Sequence, residues 1–443
     1  MSTLIATQKH GSPTLLFSSG STRARSLRAT RVQRQTSANL SNCAGDTDNG
    51  LVSRRGRFGD YEREPFTILF FGRDAFSCKI FKHVYEARDI WHSLQIATNP
   101  DVKTGRNGSR LDISPLKTLG RTLGIPVHII PKEKAAFRRW LPPRPFTPSN
   151  PNTTTDAFEP PRSHVLVTAS FGRILPSSIL SLFPESQRLN VHPSLLPAYR
   201  GPAPIQRALM AAERQTGVCV IQMGEVSRRE GKTVDQGGIW AVERMAIGDD
   251  ATFTDMQNNL AEKGGKCLVQ VLRDMLRGKV CLYVFLFCHL ANVIKAHCIP
   301  QAPLGAETHA PAITAADSTI NFEAQTADVI ARLERAIGHQ RALSIPLALP
   351  GGRSVSIAGL CAIPPGSPLT PQMGNARPGR ARYSSTAKQL LVACAGGSLL
   401  SVDRLQTQDR AVLTAREWWN GLKGMGLVKD GTFTFGYPLE DSM

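Results

Sequence analysis

Several chemistries are excluded by what this sequence lacks. It has no HExxH and no CxxC pair, so neither a helix-borne zinc site nor a thiolate-cornered one is encoded. It has no GxSxG, the nucleophile elbow of the serine hydrolases. No GxGxxG follows its first apolar run, which leaves a dinucleotide site unsupported. The apolar run at 280–290 is too short for a membrane span, which needs about twenty residues. Nine cysteines in 443 residues follow no regular framework and read as reduced thiols of an intracellular compartment. Acidic residues are missing altogether from positions 1–44, where Arg23, Arg25, Arg28, Arg31 and Arg34 recur among Ser, Thr and Ala. Arg-rich, Ser-rich and acid-poor is the composition of an organellar transit peptide. The run Leu15-Leu16-Phe17 is too short for a secretory core. Residues 1–64 are therefore expected to be a leader to the mitochondrial matrix. The alternative is a basic tail that binds nucleic acid non-specifically.

What is present supports a sizeable fold. Hydrophobic residues make up 41% of the chain, enough for two or three domains. The net charge of +18 draws such a chain to a polyanion, either nucleic acid or an anionic membrane. Short apolar runs at 67–72, 90–98, 127–130, 164–169 and 189–192 read as strands. Helical patterns at 75–85 and from Ser114-Pro115 to about Gly124 lie between them, the second with Ser as N-cap and Pro at its first position. This alternation predicts an α/β fold with a doubly wound, mostly parallel sheet. Residues 138–162, rich in Pro, Thr and Asn, read as a long surface insertion.

One stretch concentrates special residues: Asn190-Val191-His192-Pro193-Ser194-Leu195-Leu196-Pro197, continuing through Tyr199-Arg200-Gly201 to Pro204. Asn190 and His192 are two apart and share one face of an extended strand, which Pro193 tends to end. Both polar heads would sit at a strand's carboxyl end, where open α/β sheets hold ligands. A helix at 204–213, a strand at 217–223, a charged piece at 225–232 and a turn at Asp235-Gln236-Gly237-Gly238 follow. Asp235 before two glycines is on its own an ordinary turn former. Beside an Asn and a His it completes a set suited to acyl transfer to an amine. The amide donates to a developing oxyanion, the imidazole passes protons, and the carboxylate fixes the imidazole or takes the amine's proton. No metal is required by that set.

These motifs resemble the 10-formyltetrahydrofolate-dependent formyltransferases, and most closely the branch that acts on methionyl-tRNA. The resemblance rests on Asn-x-His-Pro-Ser-Leu-Leu-Pro at 190–197, Tyr-Arg-Gly-x-x-Pro at 199–204, Gly-Val-x-x-x-x-Met at 217–223 and Asp-x-Gly at 235–237. Upstream, Asn99-Pro100-Asp101 with Gly105-Arg106, Ser114-Pro115-Leu116-Lys117 and Phe171-Gly172-x-Ile174-Leu175-Pro176 also fit. It implies that Asn190, His192 and Asp235 are catalytic, and that Ser194, Leu195, Leu196 and Pro197, with Phe171 and Gly172, hold the folate. It implies that Arg106 and Arg200 engage nucleic acid. The reaction it implies is transfer of formyl from 10-formyltetrahydrofolate to initiator methionyl-tRNA for mitochondrial translation initiation, by a monomer that needs neither metal nor membrane. Residues 225–232 lengthen the family's connection into Asp-x-Gly. Residues 280–300 have no counterpart in the family, as a retained intron or gene-model error would produce. Cys281, Cys288, His289, His297 and Cys298 match no common zinc spacing.

Beyond a helix at 252–276, the chain carries a helix at 324–337 and short strands at 355–363, 389–395 and 398–405, with a Pro/Gly/Arg-rich loop at 364–382. By resemblance this is a small OB-like β-barrel, whose Arg377, Arg380, Arg382, Arg404, Arg410 and Lys423 could meet phosphates. The expected domains are a leader at 1–64, a catalytic domain at 65–278, a linker at 279–312 and a tRNA-binding barrel at 313–430. Two other readings stay open. One is a glycinamide ribonucleotide type of formyltransferase or a formyltetrahydrofolate hydrolase, and the other is an inactive RNA-binding relative.

Overall fold

A computed structural model of the chain describes residues 64–105, 108–147, 159–224, 234–278, 298–301, 308–349 and 351–436. The leader, Arg106, the charged piece at 225–232 and all of 280–300 before Cys298 lie outside the described residues.

In chain order the first part runs β1 Phe66–Gly72, α1 Ala75–Glu86, β2 Trp91–Thr98, β3 Val102–Thr104, β4 Arg110–Asp112, α2 Pro115–Thr122, β5 Val127–Ile129, α3 Lys134–Arg138, β6 His164–Ala169, α4 Ser177–Leu180, β7 Arg188–His192, α5 Pro204–Met210, β8 Gln215–Gln222, β9 Ile239–Ala246 and α6 Phe253–Leu276. These strands form a seven-stranded sheet in the order β5-β2-β1-β6-β7-β8-β9, with β3 and β4 apart as a hairpin. The first five strands of that order are parallel, and β8 and β9 turn antiparallel at one edge. The chain leaves β1 towards β2 and β5, then returns to the other side of β1 at β6. That reversal is the switch point where such sheets open a crevice at their carboxyl ends.

Strands β1 and β6 are buried over their whole length, as the centre of a sheet covered on both faces must be. Alternate residues of β1 divide between two cores. Phe66, Ile68 and Phe70 meet Phe76, Ile80 and Phe81 of α1 and Leu260, Leu268 and Leu272 of α6. Leu69 and Phe71 meet Phe137, Phe146, Phe171 and Phe183 on the opposite face. Phe146 lies inside the Pro-rich stretch read as a surface insertion, yet it is fully buried against Phe183 and His164. That stretch is therefore anchored to the core at least as far as residue 146.

Local chemistry explains the helix boundaries. The Ser114 hydroxyl accepts from the Lys117 N–H ahead of Pro115, the cap read from sequence. Thr252 and Asp255 form a reciprocal capping box at the start of α6. The segment between β2 and α2 contains the β3–β4 hairpin, braced at its ends by Lys117–Asp101 and Arg73–Asp112, each at 2.5 Å.

The second part runs α7 Ala327–Ile337, β10 Leu343–Leu349, β11 Arg353–Ile363, β12 Arg380–Ser384, β13 Gln389–Ala393, β14 Leu399–Thr407, β15 Val412–Thr414, α8 Ala415–Gly424 and β16 Phe433–Thr434. It is antiparallel, in the order β10-β11-β14-β13-β12-β16, with β15 beside β14. Four strands, β10, β12, β15 and β16, went unread in the sequence; β12 begins inside the Arg-rich loop. Trp418 and Trp419 of α8 are buried with Phe433 and Phe435 under this sheet. Helix α7 packs against α5 and β11, and its apolar residues belong to one cluster that runs from the α6 face of the first sheet into the second part. Among the described residues no helix is long and apolar enough to cross a membrane.

Candidate active site

Strand β7 pairs with β6 so that Asn190 lies beside Thr168. Leu189 and Val191 enter the core under α6. Asn190 and His192 alternate to the other face, as the two-residue period requires. Strand β7 ends at His192, where proline follows. His192 is 5% exposed.

Three groups converge here. The Asn190 amide nitrogen lies 3.3 Å from Asp235 Oδ1 and donates to it. His192 Nδ1 lies 3.7 Å from Asp235 Oδ2. The same Oδ2 accepts the Gly201 backbone N–H at 3.2 Å. The orientation of each group has a cause. The Thr168 hydroxyl donates to Asn190 Oδ1 at 2.7 Å. Its single proton goes to the amide oxygen, the better acceptor, rather than to the Met223 sulfur at 3.2 Å. A flipped amide would turn its oxygen onto the Asp235 carboxylate, so the carboxylate and the hydroxyl select the same orientation. His192 Nε2 donates to the Tyr199 carbonyl at 3.0 Å. The neutral imidazole thus carries its proton on Nε2 and presents the Nδ1 lone pair towards Asp235. Tyr199 reaches that position with φ at +59°, and Asp235 holds φ at +58°. Both are non-glycine residues in the left-handed region, where strain is common at functional sites. Gly237 cannot carry a side chain: a Cβ there would lie 1.6 Å from the Gln222 carbonyl oxygen, where the end of β8 passes.

The residues expected to hold folate are placed around this trio in different ways. Ser194 is buried, and its hydroxyl donates to the Ala198 carbonyl at 2.7 Å, closing the turn rather than facing outwards. Leu196 joins a small apolar cluster with Cys219 and Ile221. Leu195 packs into the space left by Gly217, where a Cβ would meet its Cδ2 at 2.4 Å. Pro197 is half-buried. Phe171 is core, 5.1 Å edge-to-face from Phe71, and its carbonyl accepts from Asn99 at 2.8 Å. Gly172 is exposed beyond the end of β6, with open space around it.

Arg200, expected on the nucleic-acid side, is 7% exposed. Its Nε donates to Gln301 Oε1 at 3.0 Å, and its terminal Nη2 donates to the same oxygen. The guanidinium is thereby turned inwards, away from solvent. Thr168, the Tyr199 carbonyl, the Gly201 N–H and Gln301 were not read from the sequence. Of these only Thr168 left a trace, as a hydroxyl inside an otherwise apolar buried strand. Burial pushes the Cys219 thiol, opposite His192 on β8, up to about 11. No group of His, Cys, Asp and Glu side chains comes together as a metal site among the described residues.

Residues 92–272 match the family model for formyl transferase, and residues 312–423 match the model for the formyl transferase C-terminal domain. The chain belongs to the formyl transferase family. A methionyl-tRNA formyltransferase of Sulfurihydrogenibium is 29% identical over 213 residues, 48% of this chain, which spans 60% of that relative's length. The methionyl-tRNA formyltransferase of Delftia acidovorans is 30% identical over 352 residues, 77% of this chain and 91% of its own. The mitochondrial methionyl-tRNA formyltransferase of Rattus norvegicus is 28% identical over 368 residues, 81% of this chain and 79% of its own. The first matched stretch contains Asn190, His192 and Asp235, and the two family stretches leave 273–311 between them.

Proposed function

We propose that this protein transfers the formyl group of 10-formyltetrahydrofolate to the amino group of initiator methionyl-tRNA in the mitochondrial matrix, acting as a monomer. The observation that carries this reading is the convergence of Asn190, His192 and Asp235, with both oxygens of the carboxylate engaged by N–H donors. The mitochondrial relative from rat and the acid-free leader support the location.

The donor fits the site by its chemistry: a neutral formyl amide needs a hydrogen-bond donor for its oxygen and a route for one proton. 10-Formyltetrahydrofolate supplies the formyl group and leaves as tetrahydrofolate. One amide hydrogen of Asn190 goes to Asp235, and the second is available to the formyl oxygen as it gains charge. His192 Nδ1 takes the proton released when the amine nitrogen bonds to the formyl carbon. Asp235 stabilises the resulting imidazolium, which returns that proton to the departing nitrogen as its bond to the formyl carbon breaks. Tyr199 O holds Nε2–H throughout, so the proton travels through Nδ1 alone. Ser194, Leu195, Leu196 and Pro197 shape the turn that borders the folate, and Phe171 and Gly172, beyond the end of β6, complete its surroundings. Arg106 and the basic residues of the second part contribute the phosphate contacts.

The test is turnover. Purified protein, radiolabelled 10-formyltetrahydrofolate and charged initiator tRNA are assayed beside glycinamide ribonucleotide. The tRNA is expected to be formylated and the nucleotide not. His192→Ala and Asn190→Ala are each expected to lower turnover by about a hundredfold or more, the usual scale for such groups. Near-normal turnover by either variant refutes the assignment. Formylation of the nucleotide, or none at all, selects one of the two other readings. Residues 1–60 fused to a reporter are expected to reach mitochondria; a cytosolic reporter removes the location.

A further inference from the structure

We propose that Gln301, on the segment leading into the second part, is a positioning residue for Asp235, so that this segment belongs to the active site. The inference rests on the formyl-transfer reading above. Gln301 lies between the two stretches that match the family models. Its amide is fully occupied. Nε2 donates one proton to the Asp235 carbonyl at 2.6 Å and the other to the Gly237 carbonyl at 2.9 Å. Oε1 accepts from Arg200. The loop it grips is the one that holds Asp235 in the left-handed region, a conformation that persists only where its surroundings over-determine it.

The grip is anchored on both sides. Ile299 pairs with Ile239 at the start of β9 through two backbone bonds of 2.7 and 2.9 Å. Arg200 receives Ala310 N–H at 2.7 Å and donates its own N–H to Thr308 at 2.9 Å. Gly201, next along the chain, gives its N–H to Asp235 Oδ2. The pair Arg200-Gly201 therefore holds the Gln301 amide with one residue and the carboxylate with the next. Loss of the Gln301 donors lets the loop relax and carries Asp235 Oδ2 away from His192 Nδ1.

The test compares three variants of the full chain. Gln301→Glu keeps the shape and the acceptor for Arg200 but loses both donors, and Gln301→Ala loses everything. Arg207→Ala is the control. It releases the same segment further on, where Arg207 binds Asp317 at 2.6 and 3.0 Å and the Pro311 and Ala312 carbonyls. Both Gln301 variants are expected to lose kcat by about tenfold or more, the scale of two lost hydrogen bonds. KM for folate and tRNA should stay within about threefold, as for a group that serves the transition state. Hydrogen exchange at 234–238 is expected to rise in the Gln301 variants and not in Arg207→Ala, because exchange reports local opening. Wild-type kcat in Gln301→Glu, or an equal fall in Arg207→Ala at matched melting temperature, overturns the proposal. If the wild type formylates no acceptor, the functional reading fails. The exchange pattern then still decides the positioning role, and equal exchange in all three variants overturns it.

Discussion

Replacing Thr168 by Val removes one hydroxyl and little else. The side chains are close in shape, and Thr168 is buried in the middle of the sheet, so strand β6 should survive the exchange. What is lost is the 2.7 Å donor to Asn190 Oδ1. An amide oxygen left without its partner in a buried site costs about 1–3 kcal/mol. Part of this is offset because Asp235 still attracts the nitrogen end of the amide at 3.3 Å, so about 1.4 kcal/mol, or tenfold, is the working figure for the effect on turnover. Single-turnover formylation measures the chemical step directly. Thr168→Val is expected to slow it by about tenfold, with folate affinity changed by less than about threefold. Thr168→Ser keeps the donor and should restore most of the rate. Combining Thr168→Val with Asn190→Ala should cost no more than Asn190→Ala alone, because the hydroxyl acts only through that amide. Additive losses in the double variant, or a Ser variant as slow as the Val one, would refute the reasoning.

Other consequences are simpler to check. The Arg207 guanidinium beside Asp317 holds its carboxyl down at about 2. The pair therefore stabilises the fold above the carboxyl's unfolded value near 4, and that stability is lost as pH falls towards 2. Urea titrations between pH 5 and pH 2 should show a shallower acid loss in Asp317→Asn than in the wild type. Cys219 is fully buried with its thiol pushed up to about 11, whereas Cys361 is exposed. Iodoacetamide at pH 8 should label Cys361 in the folded protein and Cys219 only after unfolding; early labelling of Cys219 would contradict the packing beneath His192. Gly237→Ala forces a Cβ into the Gln222 carbonyl. It should abolish turnover through displacement of Asp235 while leaving the second part's stability unchanged, and an active variant would count against the placement of this loop.

The sequence made some parts of this site legible and hid others, for physical reasons. Asn190 and His192 could be paired without a structure because the strand period is two and a proline follows. Both are local facts. The cap at Ser114-Pro115 is local in the same way. Strand β12 was hidden because the Pro, Gly and Arg residues before it dominate the composition, and its partners β13 and β16 come later in the chain. Phe146 was hidden in a Pro-rich stretch whose three aromatics, Trp140, Phe146 and Phe158, follow no period that says where any of them packs.

Arg200 is the instructive case. The resemblance implies a nucleic-acid contact for this residue, since a motif can be read from the sequence and burial cannot. In the fold, the parallel pairing of Arg200 with His309 closes the segment over it, and the side chain turns inwards to Gln301. Nothing near residue 200 announces a partner 101 positions later. The same distance explains Asp235. Its motif marks it as a turn, and the groups that surround it come from Asn190, His192, Gly201 and Gln301, none within thirty residues of it. A carboxylate that reads as a loop residue is held in one place when three separate segments fix its backbone and both its oxygens. The interval between the two family stretches, which carries one of those segments, is therefore where substitutions with no contact to either substrate should still reach the chemistry.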